Sequence, residues 1–486
     1  MQDRKEDSAF SVKNIREKVH DWKSQDLWTV RLFKYIRLYV LVVFAVGFVF
    51  KLFNLIHTEP TSARYMLSAL VQSQAAIIAI IVSLTLIAVQ HTASAYSPRV
   101  IRIFRDNPDM WILLGFYGIS IFYGLLVLKM IRGAEDTSQI MISSISLEAY
   151  ISSVYALGIS TFAILCLYIW NIMSLLTPET IIKRLKNEIT KGNLLNSKED
   201  PIQPIVDIVH GSIMKYDIET TRVGLKAVTE QVIKIVGPDA EKEISGHFCK
   251  HLERAGRLAV SKMDEESTAE VIENLKVFGK STAEKGLEYA TAQTAEFLEA
   301  VGVTAMEKEL VVATWRAVES LGAVGEAAAK KGLEKATQQA ARSLGHFGKL
   351  TAEKGLVGAT RQIAWTLEAA GVTAAEKGLV GATRQAAESL VRVGLVAAKK
   401  GLEDAALRAA RALAELTILS EEVVKTAIHN YESKLNVKQK LFYFQKFMKL
   451  YEQELEKLRA EKRTANKKTE SRQNCNNLPS THSFNW

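Results

Sequence analysis

Cysteine, proline and histidine are scarce: the 486 residues contain three, eight and nine of them. Cys166, Cys249 and Cys475 are too few for a disulfide framework and lack paired zinc-ligand spacing, which excludes a small secreted scaffold. Catalytic signatures are missing as well: there is no GxxxxGK(S/T) phosphate loop, no GxGxxG after a strand, no HExxH and no GxSxG. The nearest approach to a metal group is His247, Cys249 and His251. The two histidines share a helical face, but Cys249 lies two residues from each and points elsewhere, so no metal and no cofactor are expected. No segment is rich in strand formers, which argues against an α/β enzyme domain, and the chain reads as non-enzymatic.

An excess of one charge is also missing from most of the chain. The net charge of +9 divides into +4 over residues 1–176, −2 over 177–432 and +7 over 433–486. A basic excess confined to the C-terminal end does not describe a nucleic-acid-binding surface.

What is present is four long apolar runs, at about 36–56, 65–89, 111–131 and 151–176. Roughly 20 helical residues cross about 30 Å of hydrocarbon, so each run predicts a membrane span. Trp28, Tyr35, Trp111 and Trp170 stand where interfacial anchors belong. Lys and Arg crowd the segment before the first run, and Arg99, Arg102 and Arg105 lie between the second and third; the other loops hold little beyond Arg64 and Arg132. The positive-inside rule then places both termini in the cytoplasm, with the protein multi-pass in the cell membrane. Ser97 and Pro98 make a good helix start, after which Arg99, Arg102 and Arg105 fall near one face, as contacts for lipid headgroups or as a gate against the cytoplasmic part.

The second run is unusual. At helical spacing, Gln72, Ala76, Ala79, Ser83, Leu86 and Gln90 form a small and polar stripe on an otherwise Ile, Val and Leu helix. Such a stripe must meet protein or water, because unsatisfied polar groups in hydrocarbon cost free energy. It predicts either close helix packing, as do Ser120 with Gly124 and Ser152 with Ala156 and Ser160, or a pore ringed by several copies. The stretch QSQAAIIAIIVSLTLIAVQHTASAYSPRV, residues 72–100, resembles a family of prokaryotic predicted membrane proteins catalogued as a domain of unknown function. The likeness lies in the Gln-Ser-Gln start, the Ile/Val/Ser/Leu/Thr run, the Val-Gln exit and Ser97-Pro98-Arg99. It covers about the first 180 residues and implies a multi-span membrane protein, without implying an activity.

Farther on the chain repeats itself. Gly256, Gly279, Gly302, Gly325, Gly348, Gly371 and Gly394 are spaced by 23 residues, and a second series runs Gly286, Gly332, Gly355, Gly378 and Gly401, with Glu309 in its missing place. Eight residues after each glycine from Gly279 to Gly394 stands leucine, eleven after it alanine and nineteen after it leucine, which traces one face of an amphipathic helix. One continuous helix would rotate that face by about 140° per unit, so the array must break. The first glycine series is the expected break, as a left-handed C-terminal cap. Ser281 with Glu284, Thr304 with Glu307 and Thr373 with Glu376 then have capping-box spacing for the next helix. The product is an α-solenoid of helices about 20 residues and 30 Å long, which serves either as a binding surface or as a rigid spacer.

Beyond the array, Val437, Leu441, Phe444, Met448, Tyr451, Leu455 and Leu458 make a heptad seam flanked by lysines, suited to docking on the array, self-association in a coiled coil, or anionic lipid. Val12, Ile15, Val19 and Trp22 predict an interfacial helix at the other end. The expected fold is therefore all-α, a four-helix transmembrane bundle followed by a cytoplasmic array of 23-residue helical repeats. Its parts are an N-terminal segment (1–35), the spans (36–176), a helical connector (177–255), the repeats (256–416), a basic amphipathic helix (420–463) and a disordered tail (464–486). Two functions fit. One is a membrane-anchored scaffold or sensor whose array holds a cytoplasmic protein partner; the other is a homo-oligomeric channel or transport protein with the second span along its path.

Overall fold

The computed structural model describes residues 32–33, 35–49, 52, 60–95, 108–134, 147–175, 177–196, 200–435 and 440–476. The expected interfacial helix, Arg99, Arg102, Arg105 and residues 477–486 lie outside them. Among the described residues there is no strand. The chain divides into two compact units, Met1–Ile181 and Ile182–Trp486.

The first unit is built on α1 (Tyr35–Val49), α2 (Pro60–Ala95), α3 (Pro108–Ala134) and α4 (Leu147–Leu175). α2, α3 and α4 are long and apolar enough to cross a membrane, whereas α1 falls short of that length, so three spans of the expected four are complete among the described residues. One layer of the core joins Ile81, Leu113, Tyr117, Ile164 and Tyr168, with Tyr35 and Tyr39 of α1 packed against it. The other joins Leu67, Val127, Ile131, Ile151 and Val154. Small residues let the helices close: a Cβ on Gly124 would meet Val71 at 2.8 Å.

The second unit is helical from α5 (Pro178–Glu188) and α6 (Lys191–Asn196) onward. It continues with α7 (Gln203–Met214), α8 (Ile218–Ile235), α9 (Glu241–Ser261), α10 (Glu265–Glu284), α11 (Glu288–Glu307) and α12 (Val311–Lys330). α13 (Glu334–Glu353), α14 (Val357–Glu376), α15 (Val380–Lys399) and α16 (Glu403–Leu419) complete the array. From α10 to α15 every helix has 20 residues. Each packs on its successor and on the helix two places along, the two-layer stacking of a solenoid. That stacking begins before the recognisable repeat, because α8 already packs on α10 and α9 on α11.

The helices break at the second glycine series, which corrects the expectation that they break at the first. Gly286, Gly332, Gly355, Gly378 and Gly401 have φ between +69° and +75°. At the first of these, Leu287 N–H donates to Thr282 O and Gly286 N–H to Ala283 O, the paired bonds of a Schellman cap. The capping-box residues do other work: Thr304 and Thr373 donate their hydroxyls to Ala300 O and Ala369 O, inside the last turn of their own helices. The first series lies inside the helices and lets neighbours close in, since a Cβ on Gly302 would stand 2.6 Å from that of Ala317 and 3.0 Å from the ring of Phe347. Glu309 follows the second series into the left-handed region, with φ +61°. A non-glycine residue pays roughly 1–2 kcal/mol there. Glu309→Gly is therefore expected to stabilise the unit by about 1 kcal/mol, read as a higher urea midpoint with unchanged slope.

Two helices close the far end, α17 (Glu421–Ser433) and α18 (Gln445–Asn476), in place of the one helix expected over 420–463. Phe444, Phe447, Tyr451 and Leu455 are buried, and the Tyr451 hydroxyl bonds Thr417 Oγ1 of α16 at 3.0 Å, so the basic helix docks on the array. α18 runs through Asn476, past the expected start of a disordered tail at 464. Its Ala, Lys, Glu and Arg residues favour helix without any tertiary contact, and side chains 459–465 are exposed.

Candidate functional site

α2 carries polar groups on two opposite faces. Gln72 and Gln74 lie two residues apart and so point about 200° apart around the helix. Gln74 is buried, and its Nε2 donates to Ser120 Oγ of α3 at 3.1 Å and to Thr161 Oγ1 of α4 at 3.4 Å. One level along, Thr85 Oγ1 bonds the Tyr168 hydroxyl at 2.7 Å. Asn171 of α4 donates to Asp109 Oδ2 of α3. Gln74 and Thr85, which sequence reasoning passed over, thus carry hydrogen bonds between the helices of the bundle. Ser120, Gly124, Ala156 and Ser160 are buried where the small-residue spacing placed them.

The sequence-derived stripe is on the other face. Gln72, Ala76, Ala79, Ser83 and Gln90 are all exposed, so among the described residues no neighbour covers them, and the helix packing seen inside the bundle runs through the Gln74 face. Gln72 stands near the middle of the Ser62–Gln90 span.

In the second unit, His251 is buried and its Nε2 lies 2.6 Å from Asp200 Oδ2, with His247 Nδ1 at 3.8 Å. Burial raises the Asp200 carboxyl, but hydrogen bonds from His251 and the Ile202 N–H, with the two imidazoles nearby, outweigh it and hold the pKa below the usual carboxylate value. Cys249 faces Thr294 instead, and burial pushes its thiol up to about 12, an inert side chain.

The repeated rim of the array is built from carboxylates. Glu241, Glu265, Glu288 and Glu334, each opening a helix, accept from the backbone N–H of Ala290, Val312, Lys335 and Gly381 in the first turn of the helix two places along. A carboxylate at a helix N-terminus meets unpaired N–H groups and the positive end of the dipole. α12, α14 and α15 depart from this pattern, opening on Val311, Val357 and Val380, so α12 offers α14 no carboxylate at this place. Trp315 fills the difference, its ring 3.4 Å from a Cβ built on Gly358. Trp315, Val311, Leu356 and Val357 line a groove of about 720 Å3, and each is between 38% and 63% exposed. The sequence signal for this place is Trp315 itself, whose position is Ala292, Gln338, Arg361, Arg384 and Leu407 in the other repeats.

No curated protein matches the chain. Among solved structures, one described as a circular tandem repeat protein with novel repeat topology and enhanced subunit contact surfaces is similar over 85% of this chain and 100% of its own, at 13% identity and a TM-score of 0.34. That likeness is too distant to assign anything to this chain. Residues 27–212 are similar to the family model described as predicted membrane protein (DUF2254), which agrees with the three helices long and apolar enough to cross a membrane and fits a membrane protein.

Proposed function

We propose that the protein is a non-enzymatic, membrane-anchored scaffold, its spans fixing the helical array in the cytoplasm and the array holding a protein partner. The observation that carries this reading is the groove at Trp315. α9, α10, α11 and α13 spend their first residue on a carboxylate that seals the helix two places along; α12 and α14 spend it on exposed valine, here beside a tryptophan. Exposed Trp with aliphatic neighbours is the composition of a binding hot spot, and it fits an apolar segment of a partner. A photo-crosslinking residue in place of Trp315 in cells is expected to capture one discrete protein, and the same residue at Arg342, exposed on α13, to capture none. Equal capture at both positions contradicts the reading.

The outward polar face of α2 favours a second reading, in which several copies pack in the bilayer and the stripe lies against protein or a path between them. Carboxamides both donate and accept, so Gln72 of one copy can satisfy Gln72 of another. The mass of the detergent-solubilised protein decides it: a strict monomer removes this assembly and any channel made by it.

A further inference from the structure

Near the far end of the array, α13, α15 and α17 surround a cavity of about 700 Å3 whose lining is strongly basic. Lys349, Arg392, Lys399 and Lys400 face it against a single carboxylate, Glu353. Lys349 is spoken for by Glu353 at 3.7 Å, and His346 by Glu299 of α11 at 2.5 Å. Among the described residues, Arg392, Lys399 and Lys400 have no carboxylate within ion-pair distance.

Lys400 is the lysine of every unit from Lys285 onward, whereas Arg392 and Lys399 are departures that the repeat's stacking does not use. The position of Arg392 is Val277, Ala300, Ala323 and Ala369 in other units, and His346 in the unit two places back, directly alongside. The position of Lys399 is Glu284, Glu307, Glu353 and Glu376 in four others. Where lysine recurs, at Lys330, Glu326 pairs with it at 2.6 Å; the corresponding residue before Lys399 is Leu395. Two departures on α15 thus add two cations, remove an anion and leave both cations without a carboxylate beside Tyr431. Burial raises the Tyr431 hydroxyl pKa, with Glu388 adding to the rise and the Arg392 guanidinium easing it, so the hydroxyl remains a donor.

We propose that this cavity binds a phosphate-bearing anion, with Arg392, Lys399 and Lys400 supplying charge and Tyr431 a neutral donor. A guanidinium and two ammonium groups suit a dianionic phosphate better than a single carboxylate. The volume admits a group attached to the phosphate, and the same chemistry is offered by a soluble organic phosphate or by the headgroup of an anionic phospholipid.

The test uses the full chain in neutral phosphatidylcholine nanodiscs. One arm titrates inorganic pyrophosphate by calorimetry; the other replaces part of the lipid with phosphatidylinositol phosphate and follows the thermal unfolding of the protein. Binding of pyrophosphate, or stabilisation by the anionic lipid, is expected in one arm. It should weaken at least tenfold, or vanish, in Arg392→Gln with Lys399→Glu, which restores the ordinary repeat residue at 399 and retains the wild-type circular dichroism. Lys330→Gln, which removes a paired lysine outside the cavity, should leave it unchanged. A response to pyrophosphate identifies a soluble ligand and one to the lipid alone a headgroup. No response in either arm, or a response that Arg392→Gln with Lys399→Glu does not diminish, overturns the proposal.

Discussion

Phe347→Ala is expected to cost the second unit about 3–5 kcal/mol, the usual loss when a buried phenylalanine is truncated. The ring is fully buried in α13 and reaches across to α11, where the absent side chain of Gly302 makes room for it. Backbones cannot collapse to refill the space, because Gly302 is also held against Ala317 of α12, where a Cβ would stand 2.6 Å away. Solenoid stability is close to a sum of unit and neighbour terms, so a defect at one interface is felt by the helices on both sides. Urea unfolding of the full chain in mild detergent, followed by far-ultraviolet circular dichroism, should show a lower midpoint for the array. A midpoint within about 1 kcal/mol of wild type would mean that α11 and α13 do not meet as described.

The opposite error, overfilling, is expected from Gly345→Val at about 3 kcal/mol. A Cβ at Gly345 would press on the Ser389 side chain and stand 3.1 Å from the Ser389 Cα, which is backbone and cannot rotate away. Ser389 Oγ donates to Ala341 O at 2.9 Å, so separating α13 from α15 also breaks a buried hydrogen bond worth roughly 1 kcal/mol. Valine's better helix propensity returns less than 1 kcal/mol. Gly246→Ala is the control, since the nearest atom to its Cβ is Gln293 Nε2 at 3.7 Å, and it should be neutral or slightly stabilising. Equal effects of the two substitutions would contradict a stack whose close approaches are placed by particular glycines.

Those glycines show where sequence reasoning reached and where it stopped. Helix length, period and the Leu and Ala face are legible because burial imposes them on every unit. The break is not, because the two glycine series lie seven residues apart, two turns along the same helical face, and glycine serves both a left-handed cap and a close approach. The signal that separates them is local: Lys-Gly-Leu, with leucine just past the cap and Ala or Thr as its hydrogen-bond acceptor five residues earlier, is the Schellman pattern. Serine and threonine with a glutamate three residues on look like capping boxes, yet Thr304 and Thr373 bond backward instead.

In the membrane unit the limit was different. A stripe of Gln72, Ser83 and Gln90 and a face with Gln74 and Thr85 are equally polar in one helix, and the partners that choose between them, Ser120, Thr161 and Tyr168, come from other helices. The basic cavity and the Trp315 groove were legible in principle, since both are departures from the repeat, but a departure is visible only once the repeated role of the position is known. Glu at the start of a helix has meaning after its bond to the helix two places along is seen.

In the proposed scaffold, lipid-held helices keep the array on the cytoplasmic side. Val312, about half exposed beside the groove, is a suitable reporter as cysteine in a chain whose Cys166 and Cys475 are serine and whose Cys249 is buried. After treatment of intact cells with a membrane-impermeant maleimide, the protein is expected to remain in alkali-washed membranes unlabelled, and to label once the cells are permeabilised. Labelling of intact cells, or release of the protein by the alkaline wash, would contradict it.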